Sequence, residues 1–570
     1  MDQRGLRNRW GLLVLVALLV VVVGRLALLQ GVDGAALATA AEQLRLREYT
    51  IAAVRGQVLD RNGAPFAYTV DASLVTADPT VVQDAAATAE ALTELLGVPA
   101  RTLERQLGED SQYEVLARRV APETTEAIEE LELPGIFFVD DPQRLYPAKE
   151  VGGQIVGYVN ADGRGSAGIE QAFQDELAGA PGTRRVEVAS GGNPIPSGID
   201  ESIPARDGST VHLTIDQDLQ YVVEQRLARA CADGDTSRGS AVVLDVATGE
   251  VLSMASCPGY DPAKSGSTDQ ALLSNPAVSD VFEPGSVMKA VTLSAALEEG
   301  AADPDTVLSV NGRIDAGDGF VYDAHNHAPV DWTVTGILAK SSNVGTIMLA
   351  RKVGDEKLEH YLRAFGLGST TGIELPAESR GILEASADWT GSRAANVPIG
   401  QGVSVTTLQM ASIFQTIAND GVRIAPRIVD SLTAPDGTVT ERPDAERTRV
   451  ISEDTAQGMA YMLEAVVGEE GTAPLGQIEG FRVAGKTGTA QRANPETGGY
   501  EGGGFVTTFA GFAPADDPRF VVAVNLVRPD SDAEGGQVAA PVFADVMRHA
   551  LTAHGVAPTG AARPEFVLEG

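Results

Sequence analysis

An α+β layer fold is predicted for the larger, C-terminal part of this chain, on three observations. Strand-like runs open the region at residues 211–215, 240–244 and 251–255, and further runs close it at 482–490, 505–512 and 519–526. Between them apolar residues recur at helical spacing, and a last helical stretch follows at 538–552. Strands at both ends with helices between them require a central sheet that joins distant segments.

The 570 residues allow two to four domains, and an apolar content of 44% describes a globular protein. A net charge of −35 excludes nucleic-acid binding, which needs a basic face. Lysine is scarce, confined to Lys149, Lys264, Lys289, Lys340, Lys352, Lys357 and Lys486, so each lysine is informative. Cys231 and Cys257 fit no metal-binding spacing and form either one disulfide outside the cytoplasm or two buried thiols.

In chain order, Arg4, Arg7 and Arg9 precede an uncharged apolar run at 10–24, and residues 26–29 extend it past Arg25. Counted through Arg25, the run reaches the roughly 20 residues that cross a bilayer. The candidate cleavage site Ala38-Thr39-Ala40 lies far beyond it, which favours an uncleaved anchor over a signal peptide. Arginines before the span predict a cytoplasmic N-terminus and an extracytoplasmic body. Residues 32–49 read as a polar helical stalk, 55–63 as a strand entering an Asn-Gly turn, and 80–132 as a small helical subdomain. Residues 171–177 read as a short helix and 191–206 as a linker. From 210 onward the helices fall at 217–230, 334–339, 344–353, 407–419 and 454–467, and Thr248-Gly249 turns a hairpin. The tail beyond Gly555 reads as a loose end.

Residues 282–300 organise the rest. Glu283-Pro284-Gly285 is a turn that leaves Ser286 at or near a helix N-terminus. From Val287 to Leu297 the only charge is Lys289, on a helix apolar all round, which belongs in a core. Desolvating an ammonium is costly, so a buried lysine loses its proton near neutral pH. Three residues apart, Ser286 and Lys289 share a face, as a nucleophile and its base or as an N-cap and a snorkelling lysine.

Two further elements decide between these readings. Ser341-Ser342-Asn343 precedes a predicted helix, and Lys486-Thr487-Gly488-Thr489 lies on a predicted strand. Ser341 either relays a proton to a leaving amine or simply caps its helix. Asn343 orients Lys289 and holds a substrate amide. Lys486 with the Thr487 and Thr489 hydroxyls holds a carboxylate, and Gly488 lets the strand approach the substrate backbone. The N–H groups of Ser286 and Thr489 stabilise an oxyanion. Three elements in this order favour catalysis.

With these motifs the chain resembles a class B penicillin-binding protein, a monofunctional peptidoglycan D,D-transpeptidase. The likeness extends to Leu213-Thr214-Ile215-Asp216, Gly400-Gln401-Gly402 with Thr406 and Gln409, Ala484-Gly485, and Gly511-Phe512-Ala513-Pro514. Nearer the anchor it includes Arg55-Gly56, Asp60-Arg61-Asn62-Gly63 and Gly168-Ile169-Glu170, where the family's Arg and Glu hold the pedestal together. The resemblance implies a penicillin-binding transpeptidase fold, with an antiparallel five-stranded sheet between helices, an N-terminal pedestal domain and a single transmembrane helix. The implied boundaries are 1–9 for a cytoplasmic tail, 10–32 for the anchor, 33–209 for the pedestal (dimerisation) domain, 210–555 for the transpeptidase domain and 556–570 for the tail. It implies no cofactor and no metal; His325 and His327, a His-x-His without a third ligand, read as a loop feature.

The implied partners are peptidoglycan stem peptides (a D-Ala-D-Ala donor and an amine acceptor), β-lactam antibiotics, a SEDS-type membrane glycosyltransferase and divisome proteins, at the cell membrane. The Ser341–Gly345 motif and residues 323–327 resemble the cell-division (septal) type rather than the elongation type. A β-lactamase or D,D-carboxypeptidase would share the chemistry with water as acceptor, but no Glu-x-x-Leu-Asn deacylation motif stands out. No segment before residue 210 reads as a glycosyltransferase.

Overall fold

The computed structural model describes residues 3–31, 45–189, 195–232, 236–492, 500, 502–528 and 534–570. The N-terminal helix Gln3–Gly31 carries the stretch Leu6–Gly31, of mean hydropathy 3.0, with none of it buried against protein. At about 1.5 Å per residue it is longer than a hydrocarbon core of about 30 Å. Aliphatic side chains on every side of an unpacked helix suit lipid rather than water.

The chain divides into two compact units. The first, Met1–Val54 with Gly179–Gly208, contains a three-stranded antiparallel sheet of Leu46–Ile51, Gly182–Glu187 and Asp200–Ile203. Residues 46–49, expected as the end of a helical stalk, are therefore strand, and so is part of the expected linker. Exposed positions paired edge to edge satisfy the backbone there, which a polar helix with no partner face would have to do alone. The stretch 32–44 of the expected stalk lies outside the described residues.

The second unit, Arg55–Ala178 with Ser209–Gly570, holds the core. Within 80–132 the expected helices form at Ala85–Leu96, Ala100–Leu107 and Pro122–Glu129, but they lie on strands that helical spacing had hidden. Ser73–Ala77 pairs with both Glu114–Val120 and Ile136–Asp140. Val75, Leu92, Leu103 and Ile128 close this small core. Nearby, Glu170 is fully buried and receives Arg55 Nε and Arg144 Nε, each at 2.7 Å. The pair of guanidiniums joins segments 55, 144 and 170 through one carboxylate.

The main sheet runs Val251–Cys257, Arg238–Asp245, Phe520–Arg528, Phe505–Ala513, Ala484–Gln491, antiparallel throughout. Its outer strand is the one bearing Lys486, paired with Ala510, so one edge of the sheet lies beside the catalytic motif. The helix Thr407–Ala418 is buried at every position and packs on this sheet. A capping box between Thr406 and Gln409 satisfies its first orphan N–H groups, which is why both residues belong to the motif. Gln409 Nε2 also donates to the carbonyls of Ser369 and Arg380. The closing helix, Gly535–Ala553, packs on the sheet as well.

Cys231 and Cys257 form a disulfide, with Cα atoms 6.5 Å apart. The tail is not loose. Thr333 Oγ1 donates to Val567 O at 2.7 Å, Gly570 N donates to Asp331 O at 3.0 Å, and Leu568 is buried against Ala339 and Ala465. A single leucine and a few backbone bonds suffice to dock it, a signal too small to stand out in a Pro- and Gly-containing segment.

Candidate active site

Ser286 sits in a 3₁₀ turn, Gly285–Met288, that runs into the helix Lys289–Glu298. The turn is held from outside. Gly285 N donates to Gly400 O at 3.0 Å, and Glu283 accepts from Gly402 N at 2.8 Å. Gly400 has φ +81°, and a side chain there would overlap the Gly285 carbonyl oxygen. The Gly400-Gln401-Gly402 pattern thus lets one backbone lie against the turn that carries Ser286. Ser286 itself is half-buried, whereas Lys289 is fully buried.

Lys289 does not snorkel. Its Nζ donates to Ser341 O at 2.6 Å, Asn343 Oδ1 at 2.7 Å and Ser341 Oγ at 3.2 Å. Burial pushes its ammonium down to about 7, partly opposed by the carboxylate of Asp323. Lys486, also fully buried, donates to Ser341 Oγ at 3.0 Å and to Thr487 O and Oγ1, each at 3.2 Å. Burial pushes Lys486 well down too, the charge of Lys289 adds to this, and Glu534 opposes it. The two amines therefore titrate as a coupled pair.

Ser341 is not the N-cap. Ser342 Oγ accepts from Gly345 N at 2.9 Å and caps the helix Asn343–Val353. This frees the Ser341 hydroxyl to lie between the two lysines. The backbone at Ser341 has φ +57°, a left-handed conformation unfavourable for a residue with a side chain, and strain of this kind gathers at functional sites. Asn343 Nδ2 donates to Tyr322 O at 2.8 Å, which fixes the amide so that its oxygen faces Lys289.

On the edge strand, Thr487 Oγ1 is within 3.1 Å of Thr472 Oγ1, and Thr489 Oγ1 accepts from Gly535 N at 3.1 Å. Each hydroxyl can still offer a hydrogen to an anion. Gly488 is closely packed. A Cβ there would overlap Thr508 Oγ1 and stand 2.5 Å from Pro284 O. The close neighbours of this glycine include the turn that carries Ser286.

All eight residues expected from the sequence thus fall on one assembly of the Ser286 turn, the 341–343 turn and the edge strand. Asp323 was missed in this setting. Its Oδ1 accepts from Val344 N at 3.0 Å, and its Oδ2 accepts from Ser342 Oγ at 2.8 Å and faces His327 Nε2 at 3.0 Å. No periodicity or cap pattern links position 323 to a helix starting twenty residues later; only the i,i+4 pairing with His327 is local.

The geometry has counterparts among known proteins. A family profile described as the penicillin-binding protein transpeptidase domain matches residues 239–548, and one described as the penicillin-binding protein dimerisation domain matches 50–213. The chain is 40% identical to penicillin-binding protein PbpB of Mycolicibacterium smegmatis, over 99% of this chain and 92% of that protein. It is 33% identical to the peptidoglycan D,D-transpeptidase FtsI of Escherichia coli, over 96% and 92%. Among solved structures it is similar to penicillin-binding protein 3 of Mycobacterium tuberculosis complexed with aztreonam, with a TM-score of 0.72, 36% identity, and 92% and 100% of the two chains covered. A serine three residues before a buried lysine, a second buried lysine on a sheet edge and these relatives agree: the chain belongs to the class B penicillin-binding proteins, serine-type peptidoglycan D,D-transpeptidases.

Proposed function

We propose that this protein crosslinks peptidoglycan stem peptides during septal wall synthesis, through an acyl-enzyme on Ser286. Ser286 Oγ attacks the carbonyl between the two terminal D-alanines, and Lys289, in its neutral form, takes the hydroxyl proton. The Ser286 and Thr489 N–H groups receive the oxyanion. Lys486, Thr487 and Thr489 hold the terminal carboxylate, whose negative charge favours the protonated form of Lys486 and so leaves Lys289 neutral. The C–N bond breaks, and the leaving D-Ala amine receives a proton through Ser341. An amine of a second stem peptide then attacks the ester, and Ser286 regains its proton.

The observation that carries this reading is Lys289: fully buried, lowered to about 7, and aimed at Ser341 and Asn343 rather than at solvent. An N-cap with a snorkelling lysine has no use for that arrangement. We further propose the segmentation into an anchor at 10–32, a pedestal at 33–209 and a transpeptidase domain at 210–555, with the N-terminus cytoplasmic and the catalytic part outside. The Arg4, Arg7 and Arg9 cluster supports that orientation, and the Cys231–Cys257 disulfide supports an oxidising compartment. A SEDS-type glycosyltransferase and divisome proteins are the proposed partners, since E. coli FtsI and the mycobacterial PbpB are relatives over nearly their whole length.

The test is labelled-penicillin binding by the full-length protein and its Ser286→Ala variant, followed by turnover. Loss of label in the variant and a long-lived adduct in the parent are expected. Undiminished labelling of Ser286→Ala would overturn the nucleophile, and rapid penicillin hydrolysis would favour a β-lactamase. Midcell accumulation of a fluorescent fusion in dividing cells is expected; accumulation along the growing side wall would indicate the elongation role.

A further inference from the structure

The 341–343 turn needs support, because Ser341 is held at φ +57° while it faces two buried lysines. That support comes from one carboxylate. Asp323, whose side chain is 5% exposed, follows the strand Phe320–Tyr322 and accepts from the residues on either side of Asn343. Val344 N and Ser342 Oγ bind its two oxygens, and the carbonyl of the adjacent Tyr322 receives Asn343 Nδ2. Positions 322 and 323 thereby set both the backbone and the amide of the turn.

A buried carboxylate this close to a lysine that must be neutral works against it, since an anion favours the ammonium. His327 answers that problem. Its Nε2 is 3.0 Å from Asp323 Oδ2 and its Nδ1 is 2.8 Å from Ala328 O. Both neighbours are acceptors, and only the imidazolium can donate to both. The Trp332 ring, with its centroid 4.9 Å away, adds a face that favours a cation. The carboxylate raises the histidine above its ordinary value.

We propose that Asp323 and His327 form a charge-balanced clamp: the carboxylate positions Ser341 and Asn343, and the imidazolium offsets its field at Lys289. This rests on Lys289 as the base for Ser286. His327 and Asp323 are positioning residues, which need touch no substrate. The groups facing Lys289 are Ser341, Asn343 and Lys486; the charge of Asp323 acts on Lys289, and that of Glu534 acts on Lys486. Those facing His327 are Asp323, Ala328 O and Trp332.

The sign of the effect separates this clamp from plain structural support. In His327→Ala the carboxylate is no longer offset, so Lys289 holds its proton to higher pH. The acid limb of penicillin acylation then moves up by about 1 pH unit. In Asp323→Asn the charge is lost and one acceptor oxygen becomes an NH2 donor, and the limb moves down, by less than about 1 pH unit because His327 then gives up its proton more readily. His327→Lys, which restores a cation, returns the limb toward the parent. Shifts in one direction for both variants, or a fall in rate with no shift, would overturn the charge balance.

A second readout does not depend on acylation. In full-length Ser286→Ala, an NMR titration of His327 should give a value above that of an ordinary histidine, falling on Asp323→Asn. A value at or below the ordinary one would overturn the clamp whatever became of the nucleophile assignment. Persistent labelling of Ser286→Ala would overturn the nucleophile without moving that titration.

Discussion

The fully buried Lys486 donates from Nζ to the half-buried Ser341 Oγ at 3.0 Å, across 145 residues of sequence. The same hydroxyl lies 3.2 Å from Lys289 Nζ. One serine therefore stands between two buried amines that cannot both be charged without cost. A carboxylate-bearing substrate resolves the conflict by favouring charge on one of them.

The first prediction is pH dependence. Below about 7 Lys289 is protonated and cannot accept from Ser286, so the second-order rate of penicillin acylation falls on the acid side with an apparent midpoint near 7. Because the amines are coupled, that midpoint belongs to the pair. Stability moves the same way. Lys289 and Lys486 bind protons less readily when folded than unfolded, so the folded state gains stability as pH rises from about 7 toward the ordinary lysine value of 10.5. Denaturant midpoints between pH 7 and 9 test this second half; a midpoint that falls over that range would contradict it.

Ser341→Ala and Ser342→Ala should separate function from stability. Ser341→Ala removes the relay but no cap, so acylation slows by about 10²–10⁴-fold with little change in melting temperature. Ser342→Ala removes the cap of Asn343–Val353 and a donor to Asp323, and should cost about 1–2 kcal/mol of stability. Paired acylation and thermal-unfolding measurements distinguish the two.

Gly488→Ala should fold and lose rate. Its new methyl meets Thr508 Oγ1 and Pro284 O, and the strain of about 1–3 kcal/mol is relieved most easily by moving the nucleophile turn. Slowed acylation with retained circular dichroism is expected. Unchanged kinetics would mean that the turn and the strand are not coupled.

Glu170→Gln should act far from the chemistry. It leaves Arg55 and Arg144 facing a neutral amide in a buried site, and removing one partner of such a network costs about 3–5 kcal/mol. Unfolding of the 55–178 segment by limited proteolysis, at denaturant concentrations the parent tolerates, would show it.

Much of the site was legible because catalysis constrains short local patterns. Ser286 and Lys289 share a face through helical geometry alone, and a lysine in an apolar helix is conspicuous by its desolvation cost. The central helix and the strands of the main sheet followed from hydrophobic periods, since residues buried on all sides leave no other signature. What helical spacing could not reveal were the strands at 46–51 and 114–120, whose pairing supplies the energy that their own exposed or alternating residues lack.

The sequence by itself determined which groups can do the chemistry: a hydroxyl, two scarce lysines, an amide and a threonine-flanked strand. Only the tertiary structure decided how they are divided. It gave the helix cap to Ser342 and not Ser341, set Gly488 against the nucleophile turn, docked Leu568 in the core, and brought Asp323 and His327 behind the turn that carries Ser341. The physical reason is common to all four. Each depends on which atom is nearest when remote segments meet, and hydrogen-bond satisfaction and close packing choose among options that local propensity leaves equal.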